Sequence, residues 1–124
     1  MNKTNKIIGW TLGGIVAFIF IASGLFKLSG GNEEMIRELG GANKLIALGI
    51  LEVGIAIIFL FPRTGIIGSL LMIAYIGGAM AVHFVGEKPL LPLVVIEILI
   101  WMASALRFPE LIQRLMGKTP ERAL

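Results

Sequence analysis

The chain has 124 residues, of which 56% are hydrophobic and 15% charged, against about 25% charged in ordinary globular chains. A soluble fold this short cannot hide so much apolar surface in one core, so composition excludes an ordinary soluble domain and points to a single membrane domain over 1–124. The absence of cysteine excludes disulfides and thiolate chemistry, and one histidine excludes a multi-histidine zinc or haem centre. A net charge of +3 sits at helix ends rather than in a nucleic-acid-binding patch.

The first predicted element is a charge-free run from Ile7 to Phe26, giving a span over about 7–28. Lys3 and Lys6 before it, and Ala22-Ser23-Gly24 near its end, resemble a cleavable secretory signal. The run is longer than the apolar core of such signals, and no polar segment precedes the small residues, so a retained span is expected. Ser29-Gly30-Gly31 ends it. In the loop that follows, Asn32 is a suitable N-cap, with Glu33 and Glu34 in a first turn. Met35, Ile36 and Leu39 share a side, and Gly40-Gly41 is a stop. The pattern reads as a short interfacial helix. A plain loop with a few apolar anchors fits it equally.

The second span, about 44–61, is interrupted by Glu52, and Pro62-Arg63 forces a tight hairpin after it. The third, about 64–85, carries only Tyr75 and His83 as ionisable side chains. Gly86-Glu87-Lys88-Pro89 separates it from the fourth, about 90–107, which contains Glu97. Pro89 and Pro92 suit a first helical turn. After Pro109, the tail 109–116 places Leu111, Ile112, Leu115 and Met116 on one face. It is expected to lie on the membrane surface or to extend the fourth helix. The expected fold is therefore all-α, a polytopic bundle of four transmembrane helices.

An even number of spans puts both termini on one side. That side holds Lys3, Lys6, Arg63, Arg107, Arg114, Lys118 and Arg122. The other holds Lys27, Arg37, Lys44 and Lys88, offset by Glu33, Glu34, Glu38 and Glu87. The positive-inside rule then predicts a multi-pass protein of the cytoplasmic membrane with both termini cytoplasmic, and Trp10 as an interface anchor.

With that orientation Lys27, Glu52, His83 and Glu97 all fall in the outer half of the bilayer. Glu52 and Glu97 each lie about seven residues inside a span, roughly 10 Å, too deep for a short side chain to reach water. Each is expected to be neutral, paired or beside a water-filled cavity. Neighbouring helices of a hairpin suggest two pairs, Lys27 with Glu52 and His83 with Glu97. Both descending helices run into Phe-Pro, which suggests an internal duplication. Ser23 sits four before Lys27, Tyr75 lies on the stripe of Ala79 and His83, and Trp101 on that of Glu97, so these three could line the cluster. The plainer readings are that Lys27 snorkels to the headgroups, that His83 is interfacial, and that the carboxylates only lock helices together.

The strings Ser23-Gly24-Leu25-Phe26-Lys27-Leu28, Leu48-Gly49-Ile50-Leu51-Glu52-Val53-Gly54, Phe61-Pro62-Arg63 and Gly77-Gly78-Ala79 leading to His83 resemble the DoxX-like family of membrane proteins. The resemblance covers nearly the whole chain. It implies a compact four-helix membrane bundle with both termini inside. The wider superfamily includes subunits associated with quinone-linked sulfur oxidation, a methylamine-utilisation membrane protein and an animal receptor-assembly chaperone. No catalytic mechanism carries over. Lys27, Glu52 and His83 match recurring family positions, and the lack of cysteine separates this chain from thiol-active four-helix relatives.

Three functions follow as expectations. The first is an accessory or binding subunit, holding a small lipophile such as a quinone or lipid at the cluster, as in a quinone-linked oxidoreductase. The second is a proton-coupled small-molecule transporter, since intramembrane carboxylates and histidine build proton relays. The third is a ligand-free assembly partner or homo-oligomer docking through small-residue faces. An enzyme acting alone is least supported, because no nucleophile set, metal set or cofactor motif is visible.

Overall fold

A computed structural model describes residues 3–118, and these are helical apart from short turns. The helices are α1 (Lys3–Leu28), α2 (Glu33–Leu39), α3 (Ala42–Leu60), α4 (Gly65–Val85), α5 (Leu91–Arg107) and α6 (Pro109–Leu115). Of these, α1, α3 and α4 are each long and apolar enough to cross a membrane. At 17 residues α5 reaches that measure only together with α6, from which it is bent by 108°. The protein is thus a helical membrane bundle. The bend follows from Pro109, which cannot continue the helical hydrogen-bond ladder and instead starts α6 in its first turn. The tail therefore turns across the end of the bundle and does not extend α5. Leu111 anchors it, while Leu115 and Met116 remain exposed.

Helix α1 packs against α3 and α5, and α4 against the same two, so α1 and α4 stand at opposite corners of a square. The buried residues of α1 (Gly9, Gly13, Val16, Ala17, Phe20 and Gly24) recur at the 3–4-residue spacing of one helical face. Glu52 lies on the matching stripe of α3 with Gly49 and Ala56. Phe20, Phe59, Met72 and Ile100 fill the centre with almost no exposure. The outer faces carry large apolar side chains, among them Phe18 and Phe84 at 71% and 72% exposure, as contact with lipid chains requires.

The first loop forms α2. Its start is capped by Asn32, whose side-chain oxygen accepts from the Met35 N–H at 2.8 Å. Its end is closed by Gly40 in the left-handed region, φ 93°, a conformation that carries little penalty for glycine.

At the far end of the bundle, Arg107 is not a solvated flanking charge. Its guanidinium carbon lies 4.4 Å from the Trp10 ring, 4.6 Å from Phe59 and 4.7 Å from Phe108. Its Nε, Nη1 and Nη2 are buried without a hydrogen-bond partner among the described residues. The three ring faces replace water around the cation. A guanidinium is flat and weakly hydrated and can lie against several rings at once, which a compact, strongly hydrated ammonium does less well. Arg107→Lys is therefore expected to lower stability by about 1–2 kcal/mol, read as a reduced unfolding midpoint in detergent micelles. An unchanged midpoint would contradict the stacking account.

Candidate functional site

The site lies at the Lys27 end. Lys27 stands in the last turn of α1, one turn after Ser23 and on the same face. Its ammonium donates to Ser23 Oγ at 2.9 Å and forms an ion pair with Glu52 Oε1. The Tyr75 hydroxyl, from α4, donates to the same carboxylate oxygen at 2.8 Å. Tyr75 is held in place by Phe20 of α1, ring centroids 5.7 Å apart and tilted by 59°. One carboxylate thus joins α1, α3 and α4. Glu52 is 3% exposed, so its charge is compensated inside the bundle and not by water.

The close approach behind this pair is made by two glycines. A Cβ added at Gly24 would lie 2.7 Å from Val53 Cγ2 and 2.9 Å from the Gly49 carbonyl oxygen. One added at Gly49 would lie 2.8 Å from the Gly24 carbonyl oxygen. Small residues on facing helices let the backbones almost touch, and that puts Lys27 and Glu52 within reach of one another.

Above the cluster is a cavity of about 600 Å³. Its polar lining includes Lys27, Glu52, Tyr75 and His83, and its apolar lining includes Phe20, Leu48, Leu93 and Ile96. This combination of an apolar body and a few converging polar groups, at this size, is that of a small-molecule site. His83 lies near the end of α4, and its Nδ1–H donates to the Ala79 carbonyl at 3.0 Å.

The expected His83–Glu97 pair is not formed. His83 bonds within its own helix, and Glu97 Oε1 is buried with no hydrogen-bond partner among the described residues. Depth accounts for this. His83 lies two residues from the end of α4 and Glu97 six residues into α5, an offset of roughly 6 Å along the bundle. Neither Glu97 nor Trp101 lines the cavity. Ser23, Lys27, Glu52, Tyr75 and His83 all do.

Sequence reasoning missed the cover. Met35, Glu38 and Leu39 of α2 and Lys88 of the α4–α5 turn also line the cavity. Lys88 donates to Glu34 at 2.7 Å and pairs with Glu38, tying α2 to the turn across the opening. No residue of α2 is fully buried, and glycines at positive φ flank it on both sides. Charged residues at 34, 38 and 88 were visible, but nothing local says that residues 50 positions apart meet.

The hydrogen bond from Lys88 is the main cause holding the Glu34 carboxyl below the ordinary carboxylate range. The same bond is the main cause lifting Lys88 above the ordinary lysine range. A lowered acid contributes above its ordinary value and loses that contribution as pH falls through the lowered one. A raised base contributes below its ordinary value and loses that contribution as pH rises through the raised one. The pairing therefore favours the closed cover across the neutral range and weakens toward both acid and alkaline pH. Because the chain has no cysteine, Leu48→Cys supplies a single thiol inside the cavity. Adding Lys88→Gln should raise its rate of modification by a water-soluble maleimide roughly two- to fivefold, the modest effect of an exposed ion pair. High salt should act in the same direction. Equal rates with and without Lys88 would show that α2 does not cover the cavity.

Comparison with known protein families, with curated proteins and with solved structures finds no match.

Proposed function

We propose that this chain is a membrane-embedded binding or accessory subunit that holds a small lipophilic molecule, such as a quinone or a lipid, in the cavity under α2. The observation that carries the reading is the cavity itself. It joins a mainly apolar lining to a compensated ion pair, a tyrosine and a histidine. A purely structural ion pair would need no cavity beside it. The resemblance to DoxX-like proteins supports the same reading, because it suggests an accessory role beside a quinone-linked oxidoreductase; the positive-inside rule puts the chain in the cytoplasmic membrane with the cavity in its outer half. A transporter fits less well. The buried apolar side chains of Phe20, Phe59, Met72 and Ile100 occupy the centre between the cavity and Arg107.

Organic extraction of protein purified in mild detergent tests the proposal. A lipophile enriched over its abundance in the source membrane, near one per chain, is the expected result. An extract that merely mirrors the bulk membrane would sink it.

A further inference from the structure

We infer that the ligand carries a hydroxyl group, which donates a hydrogen bond to Nε2 of His83; this rests on the binding role proposed above and specifies its ligand chemistry. A carbonyl oxygen can only accept, so the bond between His83 and the Ala79 carbonyl requires the proton on Nδ1. In the neutral ring Nε2 is then an acceptor, and no side chain among the described residues donates to it. His83 lines the cavity, so this acceptor belongs to the ligand's environment.

The deeper cluster has the same bias. Glu52 takes both of its hydrogen bonds, from Lys27 and Tyr75, on Oε1. Oε2 receives none among the described residues, and an ionised carboxylate accepts only. Lys27 has three N–H groups and uses two of them, on Ser23 and Glu52. The cavity therefore offers two unused acceptors and one unused ammonium donor. A hydroxyl matches that set, since its proton goes to an acceptor while its oxygen can accept from a donor. An ether, a ketone or an oxidised quinone can only accept, so it can take the Lys27 donor but forms no bond with Nε2. A carboxylate would add a second anion beside Glu52. The chemistry points to an alcohol or phenol on an apolar body, and to a quinol in preference to its quinone.

The test uses two matched pairs of probes, titrated calorimetrically into the full chain in nanodiscs of fixed lipid composition. Farnesol is compared with farnesyl methyl ether, and decyl-hydroquinone, kept reduced under anaerobic conditions, with decyl-benzoquinone. The hydroxyl member should bind about tenfold more tightly in at least one pair, the gain of one added net hydrogen bond. Which pair shows the preference separates an isoprenoid-type alcohol from a quinol. In His83→Leu the preference should fall to about threefold or less. Equal affinity within both pairs overturns the inference while leaving the binding role standing, as does a preference unchanged in His83→Leu. If no probe binds, the binding role and the inference fall together.

Discussion

Removing one member of the Lys27–Glu52 pair is expected to be among the most damaging single changes in the protein. Lys27→Met or Glu52→Leu should each lower stability by about 3–5 kcal/mol, the usual effect of stranding one charge of a buried pair. The side chains are 12% and 4% exposed, so solvent screens the interaction little. The double variant Lys27→Met/Glu52→Leu should be more stable than either single variant, because it leaves no uncompensated charge and keeps similar apolar volume. Unfolding midpoints of the four proteins in one detergent form a double-mutant cycle. If the two single effects simply add, the charges are not coupled, and Lys27 is better described as reaching the headgroups alone. Tyr75→Phe extends the argument, since it removes one donor from Glu52 while keeping the ring on Phe20. A loss of about 1–2 kcal/mol is expected.

The second large effect is steric. Gly24→Ala and Gly49→Ala each place a methyl group where the facing helix already lies, with backbone oxygens 2.9 Å and 2.8 Å away. A carbonyl within a helix cannot move aside as a side-chain tip can, so α1 and α3 must separate. The expected loss is about 1–3 kcal/mol for each. Separation also lengthens the reach from Lys27 to Glu52, so these variants should weaken ligand binding as well as stability. Gly54→Ala provides the control, because nothing lies near its added Cβ. A Gly24→Ala protein as stable as the control would contradict the close helix crossing.

Both effects bear on what could be read before the structure. The bundle was legible because the length of each apolar run matches the thickness of hydrocarbon. The Lys27–Glu52 pair was legible because depth and adjacency in a hairpin are properties of sequence position. Tyr75 was placed near the cluster by its helical stripe. Its bond to Glu52 was not readable, because the two stand on different hairpins, on α4 and α3, whose mutual rotation depends on packing. The His83–Glu97 expectation failed because the same hairpin logic ignored a difference in depth of more than one turn. Arg107 illustrates another limit. A basic residue at a helix end reads as a topology signal, and its enclosure by Trp10, Phe59 and Phe108 depends on three separate elements meeting. The cover by α2 was hidden for the same reason. Its helix was legible from Asn32 and Gly40, while its position over the cavity depends on a pairing with the distant Lys88.

The central claim is that the cavity beside Lys27 and Glu52 holds a lipophilic ligand. Native mass spectrometry of the protein released from its own membrane tests it most directly, with Lys27→Met/Glu52→Leu as the folded comparison. The account predicts a discrete added mass on the unaltered protein that survives gentle activation and is lost or greatly reduced in the double variant. Detection of the bare chain alone, or the same added mass on both proteins, would contradict it.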